Sequence, residues 1–133
     1  MAGLSLKLAP GERILINGAV IENGDRRTRI SIRTPAANIL RLRDAIHPDQ
    51  TNTPVRRACY EAQLVLSGDR AQEEGAQILL REVERLTQVF DDSDSRNLLS
   101  AATTCCIEGN FYGALRALRN LLPREARLMA ART

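Results

Sequence analysis

At 133 residues and 44% hydrophobic content, the chain forms one domain of ordinary size or two small modules, with an aliphatic core because only 3% of its residues are aromatic. No apolar run approaches the roughly 20 residues that span a membrane, which argues against a transmembrane protein. The net charge of +3 is concentrated at the two ends, with +4 in residues 1–46 and +4 in residues 111–133, whereas residues 47–110 carry −5 and would repel a polyanion.

The first twelve residues lack the charged and apolar regions of a secretion signal, which predicts a cytoplasmic protein.

Aliphatic residues alternate with basic or small polar ones at 4–8, 27–33 and about 38–43, and alternation sorts the side chains of a strand onto two faces. The face predicted to be buried holds Leu4, Leu6, Leu8, Ile30, Ile32, Leu40 and Leu42. The face predicted to be exposed holds Lys7, Arg27, Arg29, Arg33, Arg41 and Arg43.

Two further strands are predicted at 13–16 and 19–22, on either side of Asn17-Gly18. A second Asn-Gly pair, Asn23-Gly24, follows six residues later, and such pairs are strong signals for tight hairpins. The pattern therefore predicts a meander in a small β module over residues 1–46. So small a sheet leaves edge strands that need cover, which favours a homo-oligomer, with a dimer formed through strand pairing.

The arginine-rich face of this sheet suits the phosphates of RNA or DNA. The predicted contacts are Arg27, Arg29, Arg33, Arg41 and Arg43. An ordinary solvated face is the alternative, and a GC-rich genome would produce the same excess of arginine over lysine. Because no aromatic residue precedes Tyr60, binding by this module would use arginines, backbone groups and shape rather than stacking on aromatic rings.

Residues 47–52 form a polar linker, and Thr53-Pro54 marks the start of a helical part over residues 53–133. Four apolar stripes with a helical period follow, two of them closed by Gly68 and Gly109, and their short connections predict a bundle of antiparallel helices. Pro123 interrupts the pattern, and residues 124–133 are predicted as a short final helix. The predicted fold class is α+β, a small antiparallel β module followed by a helical bundle.

No constellation of residues predicts catalysis, a metal site or a cofactor. The single histidine, His47, lies in the linker next to a proline and has no evident catalytic partner. A small acidic cluster between two helices lacks the glycine and distal glutamate of a calcium loop, and capping is the better interpretation. The three cysteines, two of them adjacent, are interpreted as small core residues. We therefore expect a protein that is not an enzyme.

Several motifs resemble the FlbT family of flagellum biosynthesis repressors. The stretch from Leu8 to Gly24 contains Pro10-Gly11-Glu12-Arg13 and then Ile16-Asn17-Gly18-Ala19, which is similar to the start of that family. Further similar segments lie at residues 39–44, 53–60 and 109–119, so the resemblance spans almost the whole chain.

This resemblance implies a post-transcriptional repressor that binds the 5′ untranslated region of flagellin mRNA and promotes degradation of that mRNA. Some family members favour flagellin production, so the sign of regulation stays open. The resemblance also implies FlaF or flagellin as a candidate partner. In the alternative interpretation, the helical bundle with its acidic stretch 69–94 docks such a partner, and the protein regulates flagellin without direct RNA contact.

The β module is also similar to carbon storage regulator, CsrA, through residues 11–16, 28–35 and 42–46. Those proteins are small β dimers that bind a GGA-containing RNA hairpin, and their principal arginine corresponds to Arg43. Leu8 and Ala9 stand where they have basic residues in the first strand, so half of that RNA site is missing here. Among the predicted contacts, Arg43 therefore ranks first.

Overall fold

The computed structural model describes residues 4–35 and 37–131, and it confirms an α+β fold with five short strands followed by five helices. The strands are β1 (Leu4–Leu8), β2 (Arg13–Ile16), β3 (Ala19–Glu22), β4 (Thr28–Ile32) and β5 (Ile39–Arg41). The helices are α1 (Pro54–Ser67), α2 (Gln72–Leu86), α3 (Ser93–Ile107), α4 (Phe111–Arg119) and α5 (Leu122–Ala131). None of these helices is both long and apolar enough to cross a bilayer, within the part of the chain that the structure describes.

Only the first of the two Asn-Gly pairs makes a tight hairpin. Asn17 and Gly18 both have positive φ, 49° and 85°, as a two-residue turn between β2 and β3 requires. At the second pair, the Asn23 side-chain amide instead donates to the carbonyls of Ala9 and Arg26, each at 2.8 Å. These bonds hold a wider loop that carries the chain across to β1, so β4 pairs with β1 rather than with β3. The predicted meander is therefore wrong.

The strands form two sheets instead of one. The chain places β2 between β3 and β5 in a three-stranded sheet, while β1 and β4 form a separate two-stranded ribbon. Leu15 and Leu40 pair across the sheet and pack with the helical core. The opposite face, with Ile14 and Ile39, packs against β1. The sheet thus lies between the ribbon and the helices, and both faces of β5 are covered.

Strand β5 ends earlier than predicted, at Arg41. Residues 42–44 form a 3₁₀ turn, in which the Ala45 N–H donates to the Leu42 carbonyl at 3.1 Å. Leu42, predicted to be buried, is exposed as a result. Arg119 of α4 holds this turn, since its guanidinium donates to the Asp44 carbonyl at 3.0 Å. The prediction of one continuous strand to residue 43 fails because the chain turns there to meet the helices.

The helical core extends into the N-terminal part of the chain. Thr53 caps α1 as predicted, and Gly68, with φ of 88°, ends it. The buried residues of the helices form one cluster that also includes Leu40 and Ile46. The predicted division into residues 1–46, 47–52 and 53–133 stays a prediction, but the two larger segments share a core.

The last helix begins one residue before Pro123, which therefore lies in its first turn, where a missing N–H costs little. The buried Glu125 of α5 accepts a hydrogen bond from the Val55 N–H at 2.9 Å and so ties α5 to the start of α1. Residues 132 and 133, the end of the predicted final helix, lie outside the described residues. The cysteines are free, and Cys59 and Cys106 are buried, as expected for core residues.

Close packing of α1 against α2 depends on Gly75. A Cβ atom at this position would overlap Cγ2 of Val65, whose side chain is 1% exposed. Alanine favours a helix by roughly 1 kcal/mol over glycine, but overpacking of a core costs roughly 1–3 kcal/mol. The steric term is therefore expected to dominate.

We predict that Gly75→Ala lowers the free energy of unfolding by up to about 2 kcal/mol, measured by urea denaturation. Val65→Ala in the same chain should recover part of this loss, because it removes the overlapping methyl group. Gln77→Ala, on the exposed face of the same helix, is the control and should change stability little. A stabilising Gly75→Ala would contradict the close contact.

Candidate nucleic-acid interface

A buried ion pair joins the ribbon to the sheet. Arg41 lies opposite Ile14 in the sheet, so its side chain points toward the ribbon instead of solvent. Its Nε donates to Glu12 Oε2 at 2.6 Å and its Nη2 to Glu12 Oε1 at 2.8 Å. The same Nη2 donates to the Lys7 carbonyl of β1 at 2.6 Å. The two side chains are only 10% and 5% exposed.

Glu12 is held in its charged form by these contacts. The hydrogen bond from Arg41 is the main cause that lowers the pKa of Glu12 from 4.5 to about 2, and the Ala9 N–H, at 2.9 Å from Oε1, contributes further. In turn, the hydrogen bond to Glu12 raises the pKa of Arg41. Arg41 is therefore a neutralised structural cation, and its Nε and Nη2 are engaged within the protein.

Next to this ion pair lies a basic groove, which we define by Lys7, Arg27, Arg29, Arg41, Arg43 and Arg116. It consists of two depressions of about 520 Å³ each that share four of these residues. Arg27 extends one depression along β4. Arg116 and Tyr112 of α4 form the far wall of the other, where Asp44 is the single acidic lining residue.

The positive charge of the groove is largely uncompensated. Lys7 of β1 lies directly opposite Arg29 of β4, and like charges at such positions repel each other. Among the described residues, neither of these side chains forms an ion pair, and neither do Arg27 and Arg116. Arg43 is intermediate, with its Nε 3.7 Å from Glu12 Oε2 and its side chain 58% exposed. A bound polyanion would relieve this repulsion.

Comparison with known proteins places the chain in a family. The model of the flagellar protein FlbT matches residues 4–129. The chain belongs to the FlbT family. Similar proteins, each named as a probable flagellum biosynthesis repressor protein FlbT, occur in Brucella abortus strain S19 and Brucella suis biovar 1 strain 1330, at 30% identity over 96% of this chain and 83% of each relative. The protein of that name in Brucella anthropi is 30% identical over 95% of this chain and 82% of its own length.

No solved structure matches the chain. The similarity to carbon storage regulators therefore stays a prediction from sequence. The resemblance to FlbT proteins, in contrast, is confirmed, and the names of these relatives support a repressor role in flagellar regulation.

For this FlbT-family member, the structure brings together four of the five arginines predicted to contact RNA. Arg27, Arg29 and Arg43 are exposed in the groove, as the alternation predicted. Arg41 lines the same groove, but the expectation that it lies on an open face is wrong because the ribbon covers that face of β5. Arg33 is exposed beyond the other end of β4 and does not line either depression. Contact with RNA itself stays a prediction for all five.

Four residues of this region were not included in the predicted site. Lys7 was placed on the exposed face, but only the pairing of β1 with β4 brings it opposite Arg29. Glu12 belongs to the Pro-Gly-Glu motif, yet nothing local to that motif reveals its contact with Arg41 across 29 positions of the chain. Tyr112 and Arg116 lie on a helix whose period predicted core packing. No group of three potential metal ligands is present within residues 4–35 and 37–131.

Because the folded protein lowers the pKa of Glu12, this carboxylate contributes stability that is complete above pH 4.5 and is lost as the pH falls toward 2. The difference between the two values corresponds to roughly 3 kcal/mol. We predict that Glu12→Gln lowers the free energy of unfolding by about that amount at pH 7. The variant should also lose part of the acid sensitivity between these pH values, as followed by urea denaturation at each pH.

Glu22→Gln is the matched control. Glu22 also bonds an arginine, with its Oε1 2.7 Å from Arg13 Nε, but both side chains are more than half exposed. Surface ion pairs of this kind contribute roughly 0–1 kcal/mol. Equal effects of the two glutamine variants would contradict the special position of Glu12.

Proposed function

We propose that the protein represses flagellin synthesis in the cytoplasm by binding the 5′ untranslated region of flagellin mRNA in the basic groove and promoting degradation of that mRNA. The observation that carries this proposal is the pairing of Lys7 with Arg29 in a groove whose exposed cations have few acidic partners. Family membership supplies the flagellar context. Counterion release from RNA phosphates would provide the affinity.

The distribution of charge supports a defined orientation of the RNA. Basic residues of the groove come from the two basic ends of the chain, whereas the acidic stretch 69–94 runs from the residues just before α2 to the first turn of α3. A polyanion is attracted to the first surface and repelled by the second. The planar guanidinium of arginine can donate two hydrogen bonds at once to a phosphate or a guanine. The compact ammonium group of lysine lacks this geometry, so arginine suits RNA better.

In this proposal the protein acts by binding alone, without a cofactor, and a separate nuclease cleaves the mRNA. The groove offers cations and a tyrosine; Asp44, which lines it, is paired with Arg119, and Glu12, behind Arg41, is paired with Arg41. A nuclease mechanism would require acids or histidines poised over the phosphate.

We predict that Lys7→Ala and Arg29→Ala each weaken binding of the flagellin leader RNA. Each loss of a phosphate contact should reduce the slope of log affinity against log salt by roughly 0.7–0.9. Filter binding or fluorescence anisotropy over a range of salt concentrations measures both quantities. Arg81→Ala, an exposed arginine on the acidic helix α2, is the control and should leave the slope unchanged.

Unchanged affinity and slope in both groove variants would overturn the assignment of the groove. If the purified protein binds the leader RNA only after FlaF or flagellin is added, then the alternative, regulation through a protein partner, is correct instead. Arg41→Ala is unsuitable for this test because it leaves Glu12 buried without its partner and should destabilise the fold.

We also propose that the protein is a dimer that pairs through β3. This edge strand has a single neighbour, β2, among the described strands, and all four of its residues are exposed, with Val20 65% and Ile21 39% accessible. Exposed edges of this kind pair readily with a second copy.

Val20→Lys should therefore weaken self-association at least tenfold in analytical ultracentrifugation, because a charged edge strand resists pairing. Ile107→Lys, at the 72% exposed last residue of α3 and outside the sheet, is the matched control and should have no effect. A wild-type protein that stays monomeric at all concentrations would rule out the dimer.

A further inference from the structure

Tyr112 and Arg116 form a cation–π pair on the wall of the basic groove. They lie one helical turn apart in α4, and Cζ of Arg116 is 5.8 Å from the centroid of the Tyr112 ring. We propose that this pair binds an unpaired base of the RNA, which stacks on the Arg116 guanidinium. The inference rests on the proposed RNA-binding function and adds a site for a base to a groove that otherwise offers contacts for phosphate.

The surroundings of Tyr112 fix its position before any ligand binds. The ring is half-buried and packs against both hydrophobic clusters, the one between ribbon and sheet and the one among the helices. The Asn110 side chain caps α4 by accepting from the Gly113 N–H at 2.9 Å. At the other end of α4, Arg119 binds Asp44 next to the groove. The ring is therefore ordered before RNA binds and limits the freedom of the Arg116 side chain that contacts it, which lowers the entropy cost of binding.

Arg116 has the properties of a stacking group. Its side chain is exposed, and within the described part of the chain it forms no ion pair and its one recorded contact is with the Tyr112 ring. The Tyr112 ring contacts the guanidinium from one direction, and because the Arg116 side chain is exposed, the rest of the planar group is open to a base. Arginine planes and aromatic rings are the usual platforms for unpaired RNA bases, and the tyrosine strengthens the charge by a cation–π interaction.

The depression beside this pair has the size and lining of a nucleotide site. Its volume of about 520 Å³ falls in the range of roughly 300–1,000 Å³ that small-molecule sites occupy. Lys7, Arg29 and Arg43 line the same depression. A base stacked on Arg116 would therefore have cations beside it for the adjoining phosphates. A fully paired helix cannot offer its bases in this way, so the ligand class is RNA with unpaired nucleotides.

The test compares Arg116→Lys with the wild type. Lysine keeps the positive charge but lacks the planar group, so a role in stacking and a role in general attraction give different results. We expect the affinity for a single-stranded segment of the leader RNA to fall about fivefold or more, with the slope against salt unchanged. Binding of a fully paired RNA of equal length should not change. Arg81→Lys on α2 is the matched control.

A second readout uses tyrosine fluorescence. The chain has two tyrosines and no tryptophan, so in a Tyr60→Phe background Tyr112 is the one remaining tyrosine. Single-stranded RNA should quench the emission of Tyr112, and Arg116→Ala should reduce the extent of that quenching. Tyr112→Phe, which keeps a ring, should bind as the wild type does, whereas Tyr112→Leu should bind as weakly as Arg116→Lys. Circular dichroism confirms that each variant is folded.

The outcomes separate the two proposals. If Arg116→Lys binds single-stranded RNA as the wild type does, the cation–π pair is only a helix-surface contact and this inference is wrong, while the groove proposal stands on the Lys7 and Arg29 variants. If equal weakening occurs for paired and single-stranded RNA, Arg116 is a general phosphate contact and the inference is again wrong. If the wild-type protein binds neither RNA, both proposals fall together.

Discussion

The arrangement of the N-terminal half depends on one buried ion pair, Glu12 with Arg41. The carboxylate accepts two hydrogen bonds from the guanidinium and one from the Ala9 N–H, while Arg41 also reaches the Lys7 carbonyl. Ribbon and sheet also share an apolar cluster of four buried residues, with partly buried neighbours packed against it. Apolar contacts are non-directional. The bidentate pair, together with the hydrogen bonds to the Ala9 N–H and the Lys7 carbonyl, instead requires one relative orientation of the two groups. The pair therefore sets how the ribbon, and with it Lys7 and Arg29, lies against the sheet.

Because of this pair, the cations of the groove differ in role: the charge of Arg41 is neutralised inside the protein, whereas other charges can attract a ligand. Burying two ions is costly in solvation, and hydrophobic residues often give equal stability, so the fixed geometry is the clearer benefit of the pair. Glu12 neutralises the charge of Arg41. Arg43 makes a longer contact with the same carboxylate and is more than half exposed to solvent. Lys7, Arg27 and Arg29 are left with repulsion among themselves, which ligand binding can relieve. A count of basic residues in the sequence cannot make this distinction.

Local patterns predicted the elements well and their pairing poorly. Alternation located β1 and β4, the Asn17-Gly18 turn signal located β2 and β3, and the helical period with Thr53 and Gly68 located α1, since all these signals depend on neighbouring residues. The pairing of β4 with β1 depends on the Asn23 side chain and its distant carbonyl partners, which no local pattern encodes. Arg41 was misplaced for a related reason. Alternation assigns side chains to the two faces of a strand, but it does not show whether the rest of the protein covers one face or both. In β5 the helices cover one face and the ribbon covers the other.

The same interdependence joins the β module to the helices. Leu15 and Leu40 pack with the helical core, so the face of the sheet that they occupy would be exposed without α1 and its neighbours. On the groove side, α4 contributes Tyr112 and Arg116, and Arg119 holds the turn that carries Arg43 and Asp44. The boundary near residue 46 therefore separates the strands from the helices in the sequence, but residues from both parts line the basic groove. The shape of this groove therefore depends on the whole fold, because loosening of the helices would displace one of its walls.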